Sequence, residues 1–151
     1  MKIKTAARTV IITEDNKTAI IEVRNGEYYK IPGGGVEEGE MIEQAAVREA
    51  LEEAGCNIKI IRKIGEQEFV DPNPEYHIIH RSICFLAQVM GKPGEPNFDD
   101  WEKGNKFKLF WVSFAEAENF FNSANPQEPI GREINKRDLG FLLKAKSIIE
   151  I

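Results

Sequence analysis

The stretch REALEEAG, residues 48–55, sets three carboxylates, Glu49, Glu52 and Glu53, beside Arg48 and ends on a glycine. From Met41 to Ala54 there is no Gly or Pro and many strong helix formers, which predicts a helix closed by a left-handed cap at Gly55. At ~100° per residue the three glutamates fall within an arc of roughly 100° and share a face. Val47, Ala50, Leu51 and Ala54 fall on the opposing side, the one expected to pack on the core. Like charges three and four residues apart destabilise a helix by about 0.2–0.5 kcal/mol per pair, and one arginine offsets only part of that. The arrangement asks for a cation, and hard divalent ions such as Mg²⁺ or Mn²⁺ take oxygen ligands of this kind. A solvated acidic face without a role is the competing reading of these eight residues alone.

The glycines just upstream shift that balance. Gly33-Gly34-Gly35 allows a tight turn whose carbonyls or amides lie close to a ligand. The triplet is not a phosphate cradle of the usual kinds: GxxxxGK[ST] is absent, and Glu38 stands where a GxGxxG starting at Gly33 needs glycine. Glu37, Glu38 and Glu40 also repel a phosphate at this turn, so a metal is the better partner. The chain's formal charge of −5 makes the same point and disfavours broad contact with a nucleic-acid polymer. An acidic protein can hold a polyanionic diphosphate when metal ions bridge the two and neutralise the charge that develops.

The elements that must position these groups are legible in outline. At 151 residues, with 42% apolar and 30% charged side chains, the expectation is one globular domain, residues 1–151. No apolar run is long enough to span a membrane and MKIKTAART lacks a signal-peptide core, so a cytoplasmic location is expected. Cys56 and Cys84 have no CxxC spacing and are expected to be core residues. Arg8–Thr13 and Thr18–Val23 predict a hairpin across EDNK, followed by a short strand in EYYKI. Strands are further expected over Asn57–Ile61, Gln67–Val70, His77–Val89 and Phe107–Val112. DPNPEY reads as a loop, and Gly91–Asn105 as a long functional one. Ser113 with Glu116 forms a capping box for a helix through Phe121, and an amphipathic helix over Arg137–Ile149 closes the chain.

Taken together, Gly34, Glu40 after five residues, Arg48-Glu49 after seven more, and the run Ala50-Leu51-Glu52-Glu53-Ala54-Gly55-Cys56 resemble the Nudix box of the Nudix hydrolases. Cys56 is a mild departure, because a branched aliphatic residue is usual there. The resemblance covers residues 34 to 56 closely and the flanking elements more loosely. It implies an α+β fold, an α/β/α sandwich around a mixed β-sheet, and hydrolysis of a nucleoside diphosphate linked to another moiety X. It further implies Mg²⁺ or Mn²⁺ held by Glu52 and Glu53, with Glu49 as a ligand or general base oriented by Arg48, and the Gly33 carbonyl completing the coordination. Glu40 would brace the loop against the helix. Such enzymes often recruit a base from outside the box, for which Glu102 in the long loop is the first candidate, with Glu95, Asp99 and Asp100 as rivals. Homodimers are frequent in the family.

For the nucleotide-like substrate, Tyr28, Tyr29, Phe69, His77, His80 and Trp101 are candidates for stacking or contact with X, and Lys30 could meet a phosphate. His77 and His80 point to opposite faces of one strand and are not expected to share a metal. Two other readings stand against the hydrolase. A nucleotide sensor without turnover is disfavoured by the intact Arg48, Glu49, Glu52 and Glu53. A prenyl diphosphate isomerase on the same fold commonly needs a cysteine, and neither Cys56 nor Cys84 is convincingly placed.

Overall fold

The structure is a computed structural model that describes residues 1–149; Glu150 and Ile151 lie outside the described residues. The hairpin expected near the N-terminus forms from β1 (Lys2–Ile12) and β2 (Lys17–Val23), which pair antiparallel. β1 starts six residues ahead of the β-branched run at Arg8 because its first half is held by a distant partner. Lys2 through Ile12 pair in parallel with Ile78 through Gln88 of β6 (Ile78–Met90), a contact that local hydrophobicity does not announce.

The short strands β3 (Tyr28–Lys30) and β4 (Gly33–Gly35) follow, β3 pairing with β2 and β4 with β1. β5 (Asn57–Val70) pairs antiparallel with β6, and β7 (Lys108–Ser113) with β2. The result is a mixed seven-stranded sheet whose path runs β3-β2-β1-β6-β5. The two strands expected at Asn57–Ile61 and Gln67–Val70 are one continuous strand. Register shifts between Ile60 and Arg62 and between Lys63 and Gly65 let it pass the glycine as a bulge without breaking the ladder.

Helices cover both faces, giving the α/β/α sandwich. α1 (Ile42–Ala54) lays Ala45, Ala46, Ala50 and Ala54 against Ile11, Ile58, Phe85 and Ala87. On the opposite face α3 (Phe114–Ser123) and α4 (Pro129–Ile149) bury Phe114, Phe121, Phe141 and Leu142 against Val10, Ile20, Ile31 and Leu86. Val10 and Ile11 thus serve different layers, as the two-residue period of a strand requires. Gly55 caps α1 at φ 65°. Ser113 caps α3 by accepting from the Glu116 N–H, as its spacing predicts. α4 begins at Pro129, eight residues before the amphipathic pattern, with proline at its first position where no N–H is needed. The long loop carries one five-residue helix, α2 (Asp100–Gly104). Among the described residues no helix is long and apolar enough to cross a membrane. Both cysteines are buried and free, and burial pushes the Cys56 thiol up to about 11.

Candidate active site

The buried face of α1 differs from the expected one. Val47 and Leu51 are 38% and 51% exposed, whereas Glu49 and Glu53 lie among the buried residues with the four alanines. The reason is the glycine strand. β4 runs over that part of the helix, and a Cβ on Gly34 would stand 2.5 Å from Glu49 Oε1. The missing side chain is the space the carboxylate fills. Glu52 stands at the edge, with its side chain 45% exposed.

Two built-in cations answer the repulsion of the three glutamates. Lys30, delivered by β3, places Nζ 2.9 and 3.1 Å from the two Glu53 carboxylate oxygens and donates to the Gly33 carbonyl at 3.1 Å. The Gly33 N–H donates to Glu53 Oε1 at 3.0 Å. Arg48 donates to both Glu40 oxygens at 2.8 and 3.0 Å, to Glu49 at 2.9 Å and to the Gly35 carbonyl at 2.9 Å. It thereby ties the glycine strand, the turn before α1 and the helix together. Its guanidinium, with the backbone at Glu37, holds the Glu40 carboxyl down at about 2.

Glu102, on α2, lines a recess beside Glu53. Burial and the hydrogen bond with Glu53 raise its carboxyl to about 8. Glu53 moves the other way: burial opposes ionisation, but the Lys30 charge and the bonds from Glu102 and Gly33 outweigh it. The two carboxyls are therefore pushed in opposite directions, Glu102 toward its neutral form and Glu53 toward its ionised one. Glu49 is raised by burial and then by the Glu53 charge.

These groups line this recess of about 330 Å³ together with the basic and aromatic side chains of Arg8, Tyr28, Lys30, Trp101, Phe107 and Arg137. Glu49, Glu53, Glu102, Lys30 and the Gly33 backbone are thus brought together, with Arg48 behind them. Of the expected substrate side, Tyr28 and Trp101 also line the recess, whereas Tyr29, Phe69, His77 and His80 do not. Tyr29 packs against Phe120 and Phe121 and its hydroxyl donates to Glu22, so its neighbour Tyr28 faces the recess instead. His77 is exposed just ahead of β6, seven residues or roughly 20 Å along the chain from Cys84, the partner of Arg8. His80 is engaged with Asp71 at 2.6 Å.

Sequence reading missed Arg8, Arg137 and Asp138. Asp138 is fully buried, accepts from Arg137 Nε at 2.8 Å and from the Ile31 N–H at 3.0 Å, and so anchors α4 to the strand that carries Lys30. The available signal was periodicity: Asp138 stands four residues before Leu142 and seven before Ala145, a charge in an apolar stripe.

Whether a divalent ion suits this place can be judged from the donors. Among the described residues no three His, Cys, Asp or Glu side chains converge as a ready metal cage. Yet the carboxylate and carbonyl oxygens of Glu53 and Gly33 already converge on a cation, the Lys30 ammonium, with Glu49 and Glu102 alongside. This all-oxygen set fits a hard divalent ion once the lysine moves aside.

Comparison with known proteins agrees with this geometry. A 100-residue segment is 38% identical to an ADP-ribose pyrophosphatase from Methanocaldococcus jannaschii, covering 64% of this chain and 57% of that protein. A putative 8-oxo-dGTP diphosphatase from Bacillus subtilis is 31% identical over 106 residues, 70% of each chain. The fold superposes on a NUDIX hydrolase from Nitrosomonas europaea with a TM-score of 0.65 at 21% identity, covering 93% of this chain and 90% of that one. The family profile described as NUDIX domain matches residues 3–134, so the carboxylate recess and the sandwich around it are those of a member of the Nudix family.

Proposed function

We propose that the chain is a divalent-metal-dependent hydrolase that cleaves the diphosphate linkage of a nucleoside diphosphate joined to another moiety. The observation that carries this reading is one recess lined by both signs of charge: Glu49, Glu53, Glu102 and the Gly33 carbonyl together with Lys30, Arg8 and Arg137. The oxygens suit a cation, and the ammonium and guanidiniums suit phosphate oxygens. The relatives named as acting on ADP-ribose and on 8-oxo-dGTP support the same substrate class.

Glu53, Glu52 and Glu49 with the Gly33 carbonyl would hold Mg²⁺ or Mn²⁺, which when bound supplies charge neutralisation at the diphosphate. The chain's own residues do the rest. Arg48, fixed on Glu40 and Gly35, orients Glu49. Lys30, released from Glu53, is free to turn its ammonium to a phosphate oxygen. Glu102, held toward its neutral form while the site lacks an ion, would give up its proton when a divalent ion binds beside Glu53 and could then accept one from an attacking water. Tyr28, Trp101 and Phe107 offer aromatic surface to the nucleoside or to X.

Turnover of a panel of nucleoside diphosphate derivatives with Mg²⁺, Mn²⁺ or EDTA tests the proposal. Metal-dependent hydrolysis of at least one member is expected. Glu53→Gln should lower its rate on the order of 10²–10³-fold, several kcal/mol at 1.36 kcal/mol per tenfold. A folded protein that binds nucleotides and hydrolyses none would be the sensor instead.

A further inference from the structure

Beyond Gly35 the carboxylate recess meets a second one of about 280 Å³, which has Arg8, Gly35 and Arg137 as shared lining. Five basic side chains, Lys4, Arg8, His80, Arg81 and Arg137, line it, and no carboxylate does. That is an unexpected composition in a chain of net charge −5.

Two of the five are already engaged: Arg81 with Glu66 at 3.2 Å, and His80 with Asp71. The other three are under-used. Arg8 donates through Nε to Ser82 Oγ at 3.1 Å. Arg137 donates through Nε to Asp138, but its Nη2 has no partner among the described residues although the side chain is only 5% exposed. Lys4 is exposed at the rim. Asp138 acts on both guanidiniums, and Glu53 and Glu49 act on Arg8 as well, but none of the three lines this recess. Buried polar groups are rarely left unpaired, and a guanidinium with a free edge matches the oxygens of a phosphate. The space is several times the ~30 Å³ of a water, enough for one phosphate with part of its hydration.

We propose that Lys4, Arg8 and Arg137 form a phosphate subsite, which takes a phosphate of the substrate additional to the two of the scissile diphosphate. The role in turnover rests on the hydrolase reading; the binding of phosphate does not. The extra phosphate has two chemical sources, the third phosphate of a nucleoside triphosphate or a phosphate ester carried by X.

The binding arm uses calorimetry in EDTA at constant ionic strength, with inorganic phosphate and tripolyphosphate as probes. Wild-type protein should bind both, and Arg137→Met should weaken binding at least tenfold. Because that variant strips Asp138 of its partner, Arg137→Lys and the surface change Lys4→Ala are measured beside it, each expected to lose several-fold. No binding by the wild type, or unchanged affinity in both Arg137→Lys and Lys4→Ala, overturns the subsite.

The kinetic arm compares kcat/KM for a nucleoside triphosphate, ADP-ribose, and ADP-ribose phosphorylated on its terminal ribose. In Arg137→Lys the ratio of phosphate-bearing to phosphate-free substrate should fall at least tenfold for the triphosphate, the ester or both, which names the source. An equal fall for all three overturns the proposal. Should no compound be hydrolysed, the hydrolase reading fails, while the binding arm still decides the subsite.

Discussion

Replacing Lys30 by methionine removes the ammonium that now holds Glu53 and leaves the rest of the recess in place. The pair is buried, with side-chain exposures of 10% and 2%, and breaking such a pair costs about 3–5 kcal/mol because one charge is stranded. The lower end applies here, since the Gly33 N–H still donates to Glu53 Oε1 at 3.0 Å. For a chain of this size ~1 kcal/mol moves the melting temperature by roughly 2–4 °C, so the loss of about 3 kcal/mol lowers it by about 6–12 °C in EDTA. A divalent ion occupying the vacated position reverses this. At a hundredfold excess over Kd, ligand binding contributes about 2.7 kcal/mol, and in Lys30→Met the ion no longer displaces an ammonium first. Thermal unfolding followed by circular dichroism, with EDTA and with Mn²⁺, should therefore show a larger Mn²⁺ gain in the variant than in the wild type. Equal losses with and without Mn²⁺, or no loss in EDTA, would refute the idea that Lys30 occupies the cation position.

The Glu102 carboxyl, near 8 in the folded chain against roughly 4.3 unfolded, keeps a proton that the unfolded chain releases, so metal-free stability should decline as pH rises from about 5 to 8 and level off above. Glu102→Gln should flatten that decline in a denaturant series, and a slope that persists in the variant would assign it elsewhere. Gly34→Ala puts a methyl 2.5 Å from Glu49 Oε1, so it should reduce turnover far more than it reduces melting temperature; unaffected turnover would mean Glu49 has no role. Asp138→Ala removes the buried carboxylate that holds Arg137 and the Ile31 amide and should cost about 3–5 kcal/mol in urea unfolding, with or without Mn²⁺, in contrast to Lys30→Met.

Local signals made the catalytic helix readable and long-range ones hid its surroundings. The absence of Gly and Pro over Met41–Ala54, the Gly55 cap and the Ser113 box depend on neighbours in sequence, and these elements form where expected. The extension of β1 to Lys2 and the union of the two strands in β5 depend on pairing with β6, a partner that no local pattern names. The orientation of α1 was misjudged for a related reason. Glutamates are ordinarily solvent-facing, and only the close approach of Gly34 makes room for Glu49 on the buried side. Glu102 was legible as a carboxylate of the long loop, but its partnership with Glu53 is a tertiary fact. Arg8 and Arg137 meet across 129 residues of sequence, and neither lies in a motif.

The central claim, that the glutamate recess takes up a divalent ion, is tested most directly by titrating Mn²⁺ into the protein at pH 7 in buffers of different ionisation enthalpy. Uptake accompanied by proton release is expected, because the Glu102 carboxyl, raised to about 8 beside Glu53, loses its proton when the ion binds, and both should vanish in Glu53→Gln. Mn²⁺ uptake of equal strength in wild type and Glu53→Gln, or none in either, would contradict it.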